Sequence, residues 1–93
     1  MYVVTVTFQI KDGQIDDFMP LMIQNAQTSL TDEDECYQFD VCRDNHEVFL
    51  YEVYESRAAF DLHLKSEHFL TFDAAVADML EAKVVRVFDE VHR

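Results

Sequence analysis

Five side chains in this sequence suit proton chemistry: His63, His68, Glu52, Tyr54 and Asn25. An imidazole titrates near neutrality, so either histidine can serve as a general base. Glu52 lies between Tyr51 and Val53 in an apolar segment and shares a strand face with Tyr54. A carboxylate there is expensive to bury without a partner, which makes it either one half of a structural pair with a His or Arg or a functional group. Asn25 stands three residues after Met22 and seven after Phe18, at the border of an apolar helical stripe. A polar residue at such an edge is ordinary, but one facing a cavity would hydrogen-bond a ligand. His63 follows Ala59 by four and Phe60 by three, on the inward side of its helix. An inward histidine is commonly a hydrogen-bonded core residue, yet two near a buried carboxylate resemble the perturbed clusters found at functional sites. The five-residue spacing of His63 and His68 sets them about 140° apart on an ideal helix, so no metal site is expected from one helix face. Phe39 and Tyr51 read as pocket wall or packing, and His46 and His92 as exposed turn and tail.

The elements that must position these residues follow from periodicity. Tyr2 to Ile10 alternates, with Tyr2, Val4, Val6, Phe8 and Ile10 on one face, and reads as a strand. Lys11-Asp12-Gly13 supplies a turn. Ile15, Phe18, Met19, Met22, Ile23, Ala26 and Leu30 then recur at helical steps, with Asp16 and Asp17 near the positive helix end and Pro20 predicting a kink or a start near Asp16. Asp32-Glu33-Asp34-Glu35 reads as a solvated loop with no functional weight, because four adjacent acids cannot all point at one centre. Cys36 to Arg43 and Glu47 to Glu55 form a predicted hairpin around Asp44-Asn45-His46, with Tyr37, Phe39 and Val41 sharing a face of the first strand. Ser56 and Ser66 are N-cap candidates for two helical segments separated by a break near Lys65 to Glu67. The second segment carries Phe69, Phe72, Val76, Met79 and Leu80. Lys83 to Val91 alternates as a fourth strand. The predicted fold class is therefore α+β: a ferredoxin-like split βαβ sandwich, β-α-β-β-α-β, with a four-stranded antiparallel sheet in a single domain over residues 1–93.

Composition narrows the function classes. Nearly half the residues are apolar, and the single Gly and single Pro argue against a Gly-rich phosphate loop. The formal charge of −12 disfavours nucleic acid as a partner. No long apolar run or basic leader is visible, so no membrane association is expected and the reading is cytoplasmic. Cys36 and Cys42, six apart in one strand, would sit roughly 20 Å apart, too far for a disulfide. Both read as small buried hydrophobes in a reducing compartment.

The strands from Phe39 to Tyr54 carry aromatic or aliphatic residues on both faces, while two helices can cover only one. The uncovered patch would exceed the few hundred Å² that soluble monomers usually expose, and a second copy is the simplest cover. A homodimer is therefore expected.

The stretch Phe49-Leu50-Tyr51-Glu52-Val53-Tyr54, followed by Ala59-Phe60, His63-Leu64 and His68-Phe69, resembles the antibiotic biosynthesis monooxygenase family of dimeric α/β barrels. Within that family it is most similar to the small candidate quinol monooxygenases and to the autoinducer-2 processing protein. The order of elements matches over essentially the whole chain. The departures fall in loops: Glu35 replaces a common Gly before the second strand, Glu67 replaces a common Pro before the second His, and Glu81-Ala82-Lys83 replaces a Gly-containing turn. The heme-degrading branch of this fold uses a Trp that the chain lacks, so that activity is not expected.

The resemblance implies cofactor-independent monooxygenation of a small quinol or polycyclic aromatic by dioxygen, without metal or flavin. His63 or His68 would be the base, Asn25 and Tyr54 hydrogen-bond donors, and Glu52 a further catalytic group. Phe39, Tyr51, Phe69 and Phe72 would contact the substrate in a dry pocket. Two alternatives remain open. One is isomerisation of a small phosphorylated keto-sugar, for which Arg43, Arg57 and Lys65 are the candidate phosphate ligands. The other is a ligand-binding dimer without turnover.

Overall fold

The computed structural model describes residues 1–93. Strand β1 (Tyr2–Ile10) leads through Gly13, whose φ of +80° suits a residue without a side chain, into helix α1 (Ile15–Asp32). The hairpin strands β2 (Cys36–Asp44) and β3 (Glu47–Tyr54) follow, then helices α2 (Arg57–Lys65) and α3 (Glu67–Val76). A single 3₁₀ turn (Ala77–Met79) connects to β4 (Leu80–Phe88). The sheet is antiparallel throughout, in the order β2-β3-β1-β4. This is the predicted ferredoxin-like α+β fold, with the second helical region divided into two helices.

Both serine caps form as expected. The hydroxyl of Ser56 accepts from the Ala59 N–H and that of Ser66 from the Phe69 N–H, each at 3.2 Å, so Ser66 starts a new helix where α2 has just ended. The hairpin closes through Asn45-His46, with Asn45 at a positive φ of 54° that Asn tolerates.

The helices cover the sheet face that carries Val4, Val6, Phe8, Val48, Leu50, Glu52 and Tyr54, all buried. At one end of this core Phe18 packs edge-on against Phe8, ring centroids 5.2 Å apart, and against Phe72 at 5.9 Å.

As expected, α1 starts near Asp16, at Ile15, and Pro20 lies inside it. Several other local expectations need correction. The buried stripe of α1 is Ile15, Phe18, Met22, Asn25, Ala26 and Ser29, whereas Ile23 and Leu30 are exposed, so the stripe turns polar in the helix's second half. In β2 the register slips between Cys36 and Gln38, and the extra residue, Tyr37, is exposed. This bulge puts Cys36 and Phe39 in the core together, whereas strict alternation had grouped Tyr37 with Phe39. Cys42 is exposed rather than buried. Helix α3 stops at Val76, before Met79 and Leu80, and β4 begins at Leu80, so Glu81-Ala82-Lys83 is strand rather than turn.

The opposite face of the sheet brings Phe49, Thr7 and Val84 into one cross-strand row and Val53, Val3 and Phe88 into another. Val84 is 57% exposed, and Phe49 and Phe88 are exposed with it. No helix is long and apolar enough to cross a membrane.

Candidate functional site

Between helices and sheet lies a cavity of about 210 Å³. Its floor is Val6, Phe8, Phe39, Leu50 and Glu52 from the strands. Its roof is Met22 and Asn25 from α1, Phe60, His63 and Leu64 from α2, and Phe69 and Phe72 from α3, with Lys83 and Val85 of β4 closing one side. Ten of the fourteen lining residues are hydrophobic, with four polar groups set among them, the usual character of a small-molecule site.

Each polar group has a specific setting. His63 is 2% exposed. Its ring is surrounded by Phe39, Tyr54, Phe60 and Phe69, and its Nδ1 lies 2.8 Å from Glu33 Oε2. The same carboxylate oxygen lies 2.6 Å from His68 Nε2. An ionised carboxylate can only accept, so both ring nitrogens donate to it. Glu33 is held in that ionised form. Burial pushes its pKa up, but the hydrogen bonds and positive character of His63 and His68 outweigh burial and bring it below the ordinary value. With Nδ1 committed as a donor to Glu33, the ring nitrogen of His63 left to accept a proton is Nε2. The arrangement is a carboxylate that fixes the tautomer and aim of a histidine, here with a second histidine sharing the carboxylate.

On the floor, Glu52 is 3% exposed and accepts a 2.6 Å hydrogen bond from the Tyr54 hydroxyl. Burial raises its pKa to about 7, with the Tyr54 hydrogen bond and the nearby His63 and Lys83 pulling only partly the other way. Near neutrality this carboxyl therefore spends much of its time protonated. Burial and the neighbouring Glu52 push the Tyr54 phenol up, so it remains a donor. Burial likewise pushes the Cys36 thiol up to about 12, leaving it an unreactive core residue.

Asn25 completes the site. It is 4% exposed, and its side-chain oxygen Oδ1 has no hydrogen-bond partner in the protein. A buried amide oxygen without a partner costs about 1–3 kcal/mol. Next along the stripe, the Ser29 hydroxyl donates to the Asn25 carbonyl at 2.8 Å and lies 3.5 Å from His63 Nδ1.

Of the residues singled out in the sequence, Asn25, Glu52, His63, Phe39, Phe69 and Phe72 line the cavity together. Tyr54 does not line it and reaches it only through its hydrogen bond to Glu52. His68 does not line the cavity; it opens instead onto a groove of about 350 Å³ between α1 and α3, and meets His63 through the shared Glu33 oxygen and an edge-on ring contact with centroids 5.9 Å apart. Tyr51 does not line it either and lies on the other sheet face, beside Thr5 and Asp40. Lys83, 5.6 Å from the Phe8 ring and 3.5 Å from Asp73, is the only cation of the cavity wall; Arg43, Arg57 and Lys65 are not part of it.

Sequence reasoning missed Glu33, which it dismissed with the acidic run. The signal was present: Phe18, Met22, Asn25, Ser29 and Glu33 follow one another at steps of four, three, four and four, so Glu33 extends the buried stripe past the end of α1. The angular argument that kept His63 and His68 apart assumed one unbroken helix. The break at Ser66 removes that constraint and lets both rings reach a single oxygen.

A family model described as antibiotic biosynthesis monooxygenase matches residues 1–75. Among solved structures, the chain is similar to a candidate antibiotic biosynthesis monooxygenase from Nitrosomonas europaea, at 25% identity over 99% of this chain and 100% of that one, with a TM-score of 0.92. It is similar to a protein from Mycobacterium tuberculosis at 25% identity over 99% of this chain and 96% of that one, TM-score 0.90. A candidate antibiotic biosynthesis monooxygenase from Caulobacter crescentus shares the fold at 20% identity, over 98% of this chain and 90% of that one, with a TM-score of 0.91.

Proposed function

The chain belongs to the antibiotic biosynthesis monooxygenase family, and from that premise we propose that it is a cofactor-independent monooxygenase of a small quinol. A dry cavity of about 150 Å³ accommodates benzene, so a volume of about 210 Å³ favours one or two fused rings over a larger polycyclic. The substrate supplies the electrons: one oxygen atom of O₂ enters a ring carbon, the other leaves as water, and the quinol becomes a hydroxyquinone. His63 Nε2 takes the hydroxyl proton, and Glu33 stabilises the resulting imidazolium across Nδ1–H. Asn25 accepts a hydrogen bond from a second substrate hydroxyl. Glu52 in its neutral form donates to the developing oxyanion, and the Lys83 charge lowers the energy of the quinolate. Phe39, Phe60, Phe69 and Phe72 shield the anion from water.

The observation that carries this reading is the partnerless Asn25 oxygen in the same apolar cavity as a histidine aimed by a carboxylate. Oxygen uptake with a panel of one-, two- and three-ring hydroquinones tests it. Uptake with the smaller rings, lost in His63→Ala, is the expected outcome; no uptake above buffer with any of them would reject the oxygenase. The isomerase alternative gains no support from a cavity with a single cation.

The reading includes a homodimer in which a second copy covers Val84, Phe88 and Phe49. A monomer in sedimentation at micromolar concentration would refute it.

A further inference from the structure

Glu33, His63 and His68 come from three elements: the C-cap of α1, the last turn of α2 and the first turn of α3. Their ligating atoms lie within 4.8 Å of one another. We propose that this trio also binds a divalent transition-metal ion, of the kind typified by Zn²⁺ or Co²⁺, and that the ion competes with the hydrogen-bonded form. The donor set decides the class. Two imidazoles and one carboxylate suit zinc and its neighbours and suit magnesium or calcium poorly, because the latter take oxygen ligands.

The geometry is close to what such an ion needs. An ion bound at about 2.0–2.1 Å from each donor holds the donors roughly 3 Å or more apart. The present separations of 2.6 and 2.8 Å from Glu33 Oε2 must therefore open by less than 1 Å. Glu33 can supply that opening through its own side-chain torsions, since it is the cap residue rather than part of the helix interior. The hydroxyls of Ser66, 3.2 Å from His68 Nε2, and Ser29, 3.5 Å from His63 Nδ1, border the remaining coordination space. Access is by the groove onto which His68 opens, where Asp32 and Glu67 add negative charge to a chain whose formal charge is already −12.

Occupancy has a chemical consequence for the cavity. A neutral imidazole that ligates through Nδ1 carries its proton on Nε2. Binding would turn the Nε2 of His63 from an acceptor into a donor and silence the base. That consequence rests on the proposed oxygenase reading, whereas binding itself does not.

Calorimetric titration of the chelator-stripped chain with Zn²⁺, and the visible absorbance of added Co²⁺, test the site directly. One ion per chain is expected, weakened at least tenfold by Glu33→Gln and by His68→Ala and unchanged when the exposed His46 and His92 are replaced by Ala. His68→Ala is the safer variant because it lies outside the packed core, and circular dichroism checks that it folds. Absence of a stoichiometric site, or one of undiminished affinity in both Glu33→Gln and His68→Ala, would overturn the proposal whether or not the chain consumes oxygen. If oxygen is consumed, one equivalent of Zn²⁺ should abolish uptake and a chelator restore it. Uptake that persists with the site filled would overturn the proton shift at Nε2 alone.

Discussion

The floor of the cavity holds one carboxylate and a second stands behind its roof, bonded to His63, and the two are driven in opposite directions. Glu33 behind the roof is tied to two imidazoles and kept ionised below the ordinary range, while Glu52 in the floor is enclosed by Val4, Leu50 and Tyr54 and raised to about 7. The difference lies in the company each keeps. Two N–H donors on one oxygen outweigh the burial of Glu33, whereas one phenol hydroxyl does not outweigh the burial of Glu52. Two identical functional groups thereby become an anion that aims a histidine and a carboxyl that is partly protonated near neutrality and can then donate, the pairing from which acid–base assignments are drawn.

The most damaging way to break this division is to remove the group that the roof carboxylate aims. In His63→Ala, oxygen uptake is expected to fall by about 10²–10⁴, the usual range for a lost general base, with the fold verified by circular dichroism. Next in size is the pH dependence of stability set by the floor. A carboxyl whose folded pKa lies above its unfolded value binds the proton more tightly when folded, so stability falls as pH rises from about 4.5 and levels off above about 7. A shift from 4.5 to about 7 corresponds to roughly 3 kcal/mol. Denaturant unfolding at pH 4.5 and pH 8, in the wild type and in Glu52→Gln, isolates this term from the general charge repulsion. A difference between the two proteins that does not change with pH would show that Glu52 is not held neutral.

How much of this was legible in the sequence follows the same division. The floor could be read because a strand has a period of two: once Leu50 faces inward, Glu52 and Tyr54 must as well, and the same rule turns Tyr51 away, against its place among the expected substrate contacts. The roof was harder. The polar residues around it lie at irregularities: Glu33 one residue past the end of a helix, and His68 two residues past a break that a serine cap imposes. Periodicity assigns faces only within an element, so it gave no relation between His63 and His68 and none between either and Glu33. The bulge at Tyr37 misled for the same reason, since one inserted residue reverses the faces on either side of it. The order of strands and helices was unaffected, because it depends on the number of elements and their turns rather than on where each one ends.

Neutralising the roof carboxylate sharpens the contrast at smaller scale. Glu33→Gln keeps the shape but replaces a pure acceptor with a group that can also donate, so the His63 tautomer is no longer fixed. Oxygen uptake is expected to drop about 10–100-fold, the usual range for groups that orient a functional histidine. The sign for stability is opposite to that of the floor. A carboxylate with a lowered pKa stabilises the fold above its ordinary value near 4.5 and loses that contribution as pH falls through the folded pKa. The variant should therefore lose stability at pH 6 and lose less below pH 4. Equal losses at both would mean that the Glu33 charge is not what holds the two histidines.

The smallest expected effect comes from Tyr54→Phe. The phenol hydroxyl is the hydrogen bond that keeps the Glu52 pKa from rising further, so its removal should move the floor carboxyl upward. The hydrogen bond itself contributes about 1 kcal/mol, and at pH 5, where Glu52 is protonated with or without Tyr54, the loss should be near or below that figure. At pH 8 it should be larger, because an ionised Glu52 would lose its only close donor. Infrared titration of the carboxyl C=O stretch, with Glu52→Gln to identify the band, would follow the shift directly. A midpoint that stays at about 7 in Tyr54→Phe would mean that burial alone sets the floor's protonation and that the phenol is only packing.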